Sequence, residues 1–312
     1  MCSSWPVAYG PRRRPAELHR RLRLHGGFLR PGSGHARRMT IPDPVVPDRP
    51  LAVVTGASSG IGYELARQFA RHGYDLLVNA EDDRLSTAAD RLRATGASVQ
   101  AVRADLRDRS GVEALCAAIT ATGRPVAAAA LNAGIGRGGA FLDTDVDDEV
   151  DIVDLNVTAT VRLAKYLLRG MAARGEGRLL ITSSVASMTP GPFQAVYNAS
   201  KSFLQSFAEA LGGELKDTGV TVTSLMPGPT ETDFFRRADM TDTRIGRQDK
   251  DDPALVARQG FDALLAGKGK VVAGSAKTKA QGLVSKVVPD RLKAGAHRRV
   301  AEPGSGGDGG ED

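Results

Sequence analysis

Short apolar runs alternate along the chain with longer amphipathic stretches, from about residue 51 to residue 273. The runs are typical of strands buried on both faces, and the stretches between them have the length and spacing of helices. We predict strands at 51–55, 75–79, 98–102, 126–131, 178–182, 220–225 and 270–273. We predict helices at 61–72, 83–94, 109–120, 145–173 (one long helix or two consecutive ones), 195–217 and 253–265. Strands that alternate with helices form a doubly wound parallel sheet of the α/β class, so residues 49–275 are predicted to be one domain.

The two ends of the chain lack this alternation. Residues 1–48 are rich in arginine, proline and glycine and show no sustained apolar period, which predicts a disordered extension. Two alternatives stay open for this segment: a translation start at Met39, or an Arg-rich targeting peptide, although the apolar core of a secretory signal is missing. Residues 276–312 are predicted to form a final helix and, from Pro303, a disordered Gly-rich and acidic tail.

Composition excludes several classes of protein. The net charge of +6 arises at the N-terminus, since residues 1–38 hold nine arginines and one acid, and the remaining residues carry about −2. The domain is therefore not basic, and no nucleic-acid partner is expected. No apolar run approaches the roughly 18 residues that span a bilayer, so no integral membrane segment is expected. The two cysteines and five histidines fit no metal-site spacing and predict no structural disulfide, which indicates a cytoplasmic protein without a metal.

A glycine-rich turn, Thr55-Gly56-Ala57-Ser58-Ser59-Gly60-Ile61-Gly62, joins the first predicted strand to the first helix. At this position a doubly wound sheet places the pyrophosphate of a dinucleotide. Glycines let the backbone approach the phosphates, and the helix N-terminus supplies free N–H groups and the positive end of the helix dipole. A purely structural turn is the alternative, but the place of the turn after the first strand favours cofactor binding.

Tyr197 and Lys201 lie four residues apart in a predicted helix, which puts both side chains on one face. An ammonium group near a phenol favours the phenolate, so the pair is a candidate acid/base. Upstream, Ser183 and Ser184 end an apolar strand, where a hydroxyl can hydrogen-bond the oxygen that the tyrosine protonates. Alone, such a pair is most often an ordinary helix-surface contact, and only the other motifs of the chain favour the catalytic interpretation.

Together these motifs have the order and spacing of the short-chain dehydrogenase/reductase family, which the chain resembles over about residues 50–275. The matching residues are Thr55, Gly56, Gly60 and Gly62 in the turn, Asn132-Ala133-Gly134 after the fourth strand, Asn156, Ser184, Tyr197, Lys201 and Pro227-Gly228. The resemblance implies a single Rossmann-type domain with a seven-stranded parallel sheet. It implies a nicotinamide cofactor, NAD or NADP, and a small-molecule alcohol or carbonyl substrate. It also implies a homodimer or homotetramer built on helices 145–173 and 195–217, whose apolar residues lie on more than one face.

The same resemblance assigns roles to residues. It makes Asn156, Ser184, Tyr197 and Lys201 the catalytic set. Tyr197 would be the acid/base, Lys201 would lower its pKa, and Ser184 rather than Ser183 would hold the substrate oxygen, while Asn156 would anchor a water molecule. The implied cofactor contacts are Thr55, Gly56, Ser58, Ser59, Gly60, Ile61, Gly62, Glu81, Asp105, Leu106, Asn132, Ala133, Gly134, Tyr197, Lys201, Pro227, Gly228, Thr230 and Thr232. Among these, Asp105 would receive the adenine amino group and Thr232 the nicotinamide carboxamide.

The chain departs from the family pattern at the end of the second strand. Many relatives carry Ala-Arg there, and the arginine holds the 2′-phosphate of NADP. Here Ala80 is followed by Glu81, close to where an acid binds a ribose 2′-hydroxyl, and a carboxylate repels a 2′-phosphate. We therefore expect NAD rather than NADP, with Arg84 as the nearby base that could reverse this preference. A second departure, Leu131 in place of the usual asparagine before Asn132, should be tolerated.

The substrate cannot be read from the sequence. Met188, Phe193, Phe234 and Phe235 suggest a moderately apolar pocket, but core packing or an oligomer contact explains them equally well. Residues 230–250 are predicted to form a mobile lid. The segment 281–301 has paired apolar and basic residues and predicts a helix that covers the active site or a partner subunit, or else contacts a membrane surface. An alternative function is a non-catalytic NAD(P)-binding interaction protein of the same fold. The intact catalytic set favours the enzyme.

Overall fold

The computed structural model describes residues 49–284 and 288–307. The predictions for residues 1–48 and for the end of the tail, 308–312, therefore lie outside the described residues. The strands are β1 (Leu51–Thr55), β2 (Asp75–Ala80), β3 (Val99–Arg103), β4 (Val126–Leu131), β5 (Gly177–Thr182), β6 (Val220–Pro227) and β7 (Lys270–Ala273). The helices are α1 (Gly60–Arg71), α2 (Arg84–Arg93), α3 (Arg109–Ala121), α4 (Val146–Ile152), α5 (Thr160–Arg174), α6 (Ala195–Glu214), α7 (Phe234–Arg237), α8 (Arg244–Arg247), α9 (Pro253–Leu265), α10 (Ala276–Val284) and α11 (Asp290–Ala301).

The strands form one parallel sheet of seven strands in the order β3-β2-β1-β4-β5-β6-β7. The strand order reverses between β1 and β4, which both lie at the centre of the sheet. In doubly wound sheets ligands bind in the crevice that opens at this switch point, beside the carboxyl ends of the strands. The predicted α/β fold with a Rossmann-type, seven-stranded parallel sheet is confirmed.

Helices cover both faces of the sheet and bury a core on each. One core includes Leu65 and Phe69 of α1 and Phe261 of α9, all fully buried. The other includes Leu115 of α3 and Leu163 of α5. Ala128, Ala129 and Ala130 of β4 are also buried in these cores, and their small side chains let the helices approach the middle of the sheet closely.

The predicted helix 145–173 contains a change of helical type. Between α4 and α5 the chain forms a π-helical segment, Val153–Ala159, which holds Asn156. Such segments are rare and occur mostly at functional sites. The sequence left open whether this stretch is one long helix or two consecutive ones, and it gave no sign of the π-helical segment between α4 and α5.

The C-terminal part is more ordered than the sequence suggests. Residues 230–250, predicted to be a lid, contain the short helices α7 and α8 around a small apolar cluster. Pro303–Gly307, predicted to be disordered, form turns that hydrogen-bond residues 242–247. No helix in the described ranges is long and apolar enough to cross a bilayer.

Candidate active site

The turn after β1 is shaped to hold a phosphate group. Gly56 and Gly60 have φ angles of +66° and +55°, which only glycine adopts without strain. A Cβ atom on Gly62 would lie 2.1 Å from the carbonyl oxygen of Gly56, so the start of α1 packs directly on the turn. No side chain caps the first N–H groups of α1, where Ser59 is the N-cap residue. Glycine backbone and open helix N–H groups together fit the pyrophosphate of a dinucleotide.

Thr55 connects two strand ends and does not line the cavity that opens beside them at the carboxyl edge of the sheet. Its hydroxyl accepts hydrogen bonds from the backbone N–H groups of Asn132 and Ala133, at 3.0 and 3.1 Å. The side-chain oxygen of Asn132 in turn accepts a hydrogen bond from the Thr182 hydroxyl at 3.1 Å. The carboxyl ends of β1, β4 and β5 are thus joined by side chains. Thr55, which the resemblance implied to be a cofactor contact, is here a support for the residues that follow β4.

Ser184, Tyr197 and Lys201 come together beside the carboxyl end of β5. Tyr197 is in the first turn of α6 and is half-buried, and it lines the same cavity as Ser184, whose hydroxyl accepts a hydrogen bond from the N–H of Ala186 at 3.1 Å. Lys201 is buried one turn later, with Nζ 5.7 Å from the centre of the Tyr197 ring and donating to the carbonyl of Thr182 at 3.1 Å. The neighbouring Ser183 instead donates to the Lys201 carbonyl at 2.8 Å. Ser184 is therefore the hydroxyl beside the tyrosine, as the sequence predicted.

Burial dominates the electrostatics of this pair. It raises the pKa of the Tyr197 phenol to about 12, although the hydrogen bond from Ser184 acts in the opposite direction. It lowers the pKa of Lys201 to about 8. The sequence predicted that the lysine lowers the pKa of the tyrosine. In the protein without a bound cofactor, desolvation of the phenol outweighs that effect.

Asn156 holds three segments together from inside the π-helical segment. Its side-chain amide accepts a hydrogen bond from the N–H of Ile135 at 3.0 Å and donates to the carbonyl of Ile135 at 2.9 Å and to Ser200 at 3.0 Å. A Cβ atom on Gly134 would approach its Oδ1 to 3.0 Å and Lys201 Nζ to 3.2 Å. Asn156 thus lies behind the lysine, fully buried, and positions the residues after β4.

These groups surround a cavity of about 490 Å³ at the carboxyl edge of the sheet. Of the predicted site residues, the cavity is lined by Gly56, Ser58, Ser59, Gly60, Ile61, Glu81, Asp105, Leu106, Asn132, Ala133, Gly134, Ser184, Tyr197, Lys201, Pro227, Gly228, Thr230 and Thr232. Thr55, Gly62 and Asn156 are the predicted residues that lie behind it. Phe234 and Phe235 also line it, as predicted, whereas Met188 and Phe193 do not.

For Phe193 the structure shows the alternative interpretation, packing in an apolar cluster. Its ring packs against the apolar cluster of Phe235, Ala238 and Met240, with the Arg298 guanidinium 5.8 Å from the ring centre. The side chain thus stabilises the lid from outside the cavity. The φ angle of 66° at Phe193 turns the chain into this position just before α6 begins.

Acidic and basic side chains meet at the end of the cavity next to β2 and β3. Arg107 donates hydrogen bonds to both carboxylate oxygens of Asp105 and thereby lowers the Asp105 pKa, and it lies 3.5 Å from Glu81. Asp82 accepts hydrogen bonds from Ser58 and from Arg237 of α7, each at 3.1 Å. Burial alone would raise the Asp82 pKa, but these bonds and one from Arg84 lower it. The sequence analysis did not predict Asp82 as a site residue. Its one sequence signal is its position in the acidic run next to Glu81.

The opposite end of the cavity is closed by the lid and by the C-terminal helix. The Phe234 ring lies 5.1 Å from the Tyr197 ring, centre to centre. Four residues of α11 reach the cavity: Lys293, Ala296, His297 and Val300. Of the alternatives left open for this segment, a helix that covers the active site, covers a partner subunit or contacts a membrane, the structure shows the first within a single chain.

Comparison with known proteins gives the class of this site. Residues 50–242 match the family model of the short chain dehydrogenases. Oxidoreductase UcpA of Salmonella typhimurium is 33% identical over 206 residues, which are 66% of this chain and 76% of UcpA. A short chain dehydrogenase/reductase of Burkholderia phymatum, solved in complex with NAD, is 27% identical with a TM-score of 0.68 over 77% of this chain and 92% of that one. L-Sorbose reductase of Gluconobacter frateurii, solved with NADPH and L-sorbose, is 27% identical with a TM-score of 0.65 over 73% and 96% of the two chains.

The chain therefore belongs to the short-chain dehydrogenase/reductase family. It is an oxidoreductase that interconverts CH–OH and C=O groups with a nicotinamide cofactor, NAD or NADP.

Proposed function

We propose that this protein reduces a ketone, or oxidises the corresponding secondary alcohol, with Tyr197 as the acid/base and Ser184 and Lys201 as its partners. The observation that supports the proposal most strongly is the group formed by Ser184, Tyr197 and Lys201 at the cavity wall. Ser184 and Tyr197 line the same cavity, and the serine is close enough to lower the pKa of the phenol, so one substrate oxygen could contact both. The buried lysine lies one helical turn behind them.

The proton chemistry follows from these positions. In the reductive direction the Tyr197 hydroxyl donates its proton to the oxygen of the carbonyl as that oxygen becomes an alkoxide, and Ser184 donates a hydrogen bond to the same oxygen. The Lys201 ammonium stabilises the phenolate that Tyr197 becomes. In the oxidative direction the same phenolate removes the proton of the alcohol. NAD or NADP, when bound, supplies or accepts the hydride.

The cofactor would be held along the carboxyl edge of the sheet. Its pyrophosphate fits the turn that contains Gly56 and Gly60, and Asn132–Gly134 would contact the ribose next to the nicotinamide. Asp105 lines the cavity and would receive the adenine amino group beside the N–H groups of Arg107 that it already binds. Glu81 and Asp82 bring two carboxylates to the adenosine ribose, and on this ground we propose NAD rather than NADP.

A substitution that removes only one oxygen atom tests the proposed function. Purified protein is screened for oxidation of NADH and NADPH with a panel of ketones, and Tyr197→Phe is then assayed on a ketone that is turned over. Loss of the proton donor should lower kcat by about 10³-fold, within the usual range for general acid–base groups, while nicotinamide fluorescence still reports cofactor binding. Tyr74→Phe is the matched control, because Tyr74 packs against Phe69 at 5.2 Å in the core and should keep full activity.

Full turnover by Tyr197→Phe would contradict the mechanism. A protein that binds NADH or NADPH but turns over no ketone, and oxidises no alcohol in the reverse assay, would instead support a non-catalytic, cofactor-binding role.

A further inference from the structure

Residues 227–232, which follow β6, run along the cavity wall from Ser184 to the phosphate-binding turn. At the start of this stretch, the Ser184 hydroxyl lies 3.5 Å from the carbonyl oxygen of Pro227. At its end, a Cβ atom on Gly60 would lie 2.8 Å from the methyl group of Thr232. The residues of the stretch that line the cavity are Pro227, Gly228, Pro229, Thr230 and Thr232. A dinucleotide bound as proposed above would have its nicotinamide half beside this wall.

Asp251, at the far end of the lid, holds the stretch through its backbone. Its N–H donates to the carbonyl of Pro229 at 2.8 Å, and its carbonyl accepts a hydrogen bond from the N–H of Glu231 at 2.9 Å. Thr230 and Asp251 thereby form a parallel β-bridge. The two ends of the lid are thus joined at its base, and a shift of Asp251 is transmitted directly to the cavity wall.

The carboxylate of Asp251 connects this base to the segment that follows β7. One of its oxygens accepts a hydrogen bond from the N–H of Ser275 at 2.9 Å, and the other accepts one from the hydroxyl of Thr278 at 2.6 Å. Thr278 also packs on the wall itself, since a Cβ atom on Gly228 would lie 2.6 Å from its methyl group. Asp251 and Thr278 are 9% and 5% exposed, so water competes little for these hydrogen bonds.

The chemistry of these contacts requires a carboxylate. Two donors approach two different oxygens, so an amide could satisfy only one of them and an alanine neither. A buried donor that loses its acceptor is unfavourable, and the base of the lid would shift to relieve it. The hydrogen bonds of Asp251 join the stretch after β6 to the start of α10, whereas the adenosine would lie beside the residues after β2 and β3.

We propose that Asp251 is a positioning residue for the nicotinamide end of the cofactor. It fixes residues 227–232, and this wall in turn holds the nicotinamide against Ser184 and Tyr197. The inference rests on the proposed function, since that function places the nicotinamide beside Tyr197. Asp251 and Thr278 lie beyond residue 242, where the match to the family model ends, and Asp251 acts from behind the cavity wall.

Two ligands that differ in the nicotinamide group test the inference. NADH and ADP-ribose share the adenosine, the pyrophosphate and the second ribose, so the ratio of their dissociation constants isolates the nicotinamide end. Both are titrated by calorimetry, or the 2′-phosphorylated form of each if the parent prefers NADPH. Asp251→Ala should weaken binding of NADH about tenfold and binding of ADP-ribose less than about twofold, as expected when one end of the ligand loses its support.

Two variants that keep the shape of the side chains refine the test. Asp251→Asn should change the ratio less than Asp251→Ala, because its amide oxygen still accepts one of the two hydrogen bonds. Thr278→Val removes the hydroxyl donor and should change the ratio in the same direction as Asp251→Ala. These two variants decide the question if Asp251→Ala does not fold.

Asp252→Ala is the matched control. The Asp252 carboxylate accepts a hydrogen bond from the N–H of Ala254 at 2.8 Å as the N-cap of α9, and the residue is exposed. Its loss should lower the thermal stability and leave the ratio of dissociation constants unchanged. The inference is wrong if the Asp251 and Thr278 variants leave the ratio unchanged, or weaken both ligands equally. Failure of the proposed function would appear separately, as full turnover by Tyr197→Phe.

Discussion

At the scale of single residues, the buried lysine links catalysis to stability. Lys201 is 4% exposed, and burial lowers its pKa from 10.5 to about 8. Between these two pH values the unfolded chain binds more protons than the folded one, so the stability of the protein rises with pH across that window. Below about pH 8 the folded state carries the full cost of the buried charge, about 3 kcal/mol for a shift of this size.

Lys201→Met should therefore stabilise the protein while it abolishes activity. In denaturant unfolding of the cofactor-free protein, the free energy of unfolding should rise by about 1–3 kcal/mol at pH 7, since loss of the bond to Thr182 offsets part of the gain. The gain should shrink as the pH rises from 8 towards 10.5. Lys216→Met, at an exposed position, should show no such pH-dependent difference. A variant that is less stable than the parent at pH 7 would contradict this account.

At the scale of elements, we expect the turn from β2 to α2 to select between NAD and NADP. Glu81 and Asp82 lie at the ribose end of the cavity, and Arg84 and Arg237 connect the turn to the lid through Asp233 and Asp82. The two acids repel a 2′-phosphate, whereas the arginines are already engaged by carboxylates. On this ground we expect an unphosphorylated ribose to bind more tightly than a 2′-phosphorylated one.

Titration of nicotinamide fluorescence checks this preference. We expect NADH to bind about tenfold or more tightly than NADPH, and Glu81→Arg to reverse the order, because it replaces repulsion of the phosphate by an ion pair. Glu113→Arg gives the same change of charge on α3, where Glu113 pairs with Arg109, and should leave the order unchanged. Tighter binding of NADPH by the parent would mean that Arg84, Arg107 or Arg237 leaves its carboxylate partner to bind the phosphate.

The secondary-structure elements also show which parts of the fold can be predicted from the sequence. The strands were predictable because each is a short apolar run between turn residues, as at Leu51–Thr55, and the turn with Gly56 and Gly60 followed from its place after the first strand. The π-helical segment was not predictable, because it depends on hydrogen bonds from Asn156 to Ile135 and Ser200, which are distant in sequence. The hydrogen bonds that Asp251 accepts from the start of α10 were hidden for the same reason.

At the scale of the whole molecule, two helices that contact each other, α4 and α6, both expose apolar side chains. Val146 and Val153 flank Val150 on the helix that begins with α4, and Val150 is 49% exposed. On α6, Phe203 is 42% exposed and stacks on Phe207 with ring centres 5.6 Å apart. Contiguous exposed apolar surface on a globular protein marks an interaction site. The two helices are those from which the sequence predicted a homodimer or homotetramer.

We therefore expect the protein to be a dimer or tetramer in light scattering, with these helices at the interface. Carboxylates at the centre of an apolar interface would be buried without partners, so the double variant Val150→Asp/Phe203→Asp should shift the mass to that of a smaller species. Because α6 also carries Tyr197 and Lys201, and the π-helical segment carries Asn156, separation of the subunits should lower kcat as well, through looser packing around the catalytic lysine. Leu292→Asp changes an apolar residue that is 66% exposed on α11 and should leave the mass unchanged. A parent protein that is monomeric at micromolar concentration would show instead that the exposed valines and Phe203 serve a different partner, and that the site around Lys201 is held together by the contacts of a single chain.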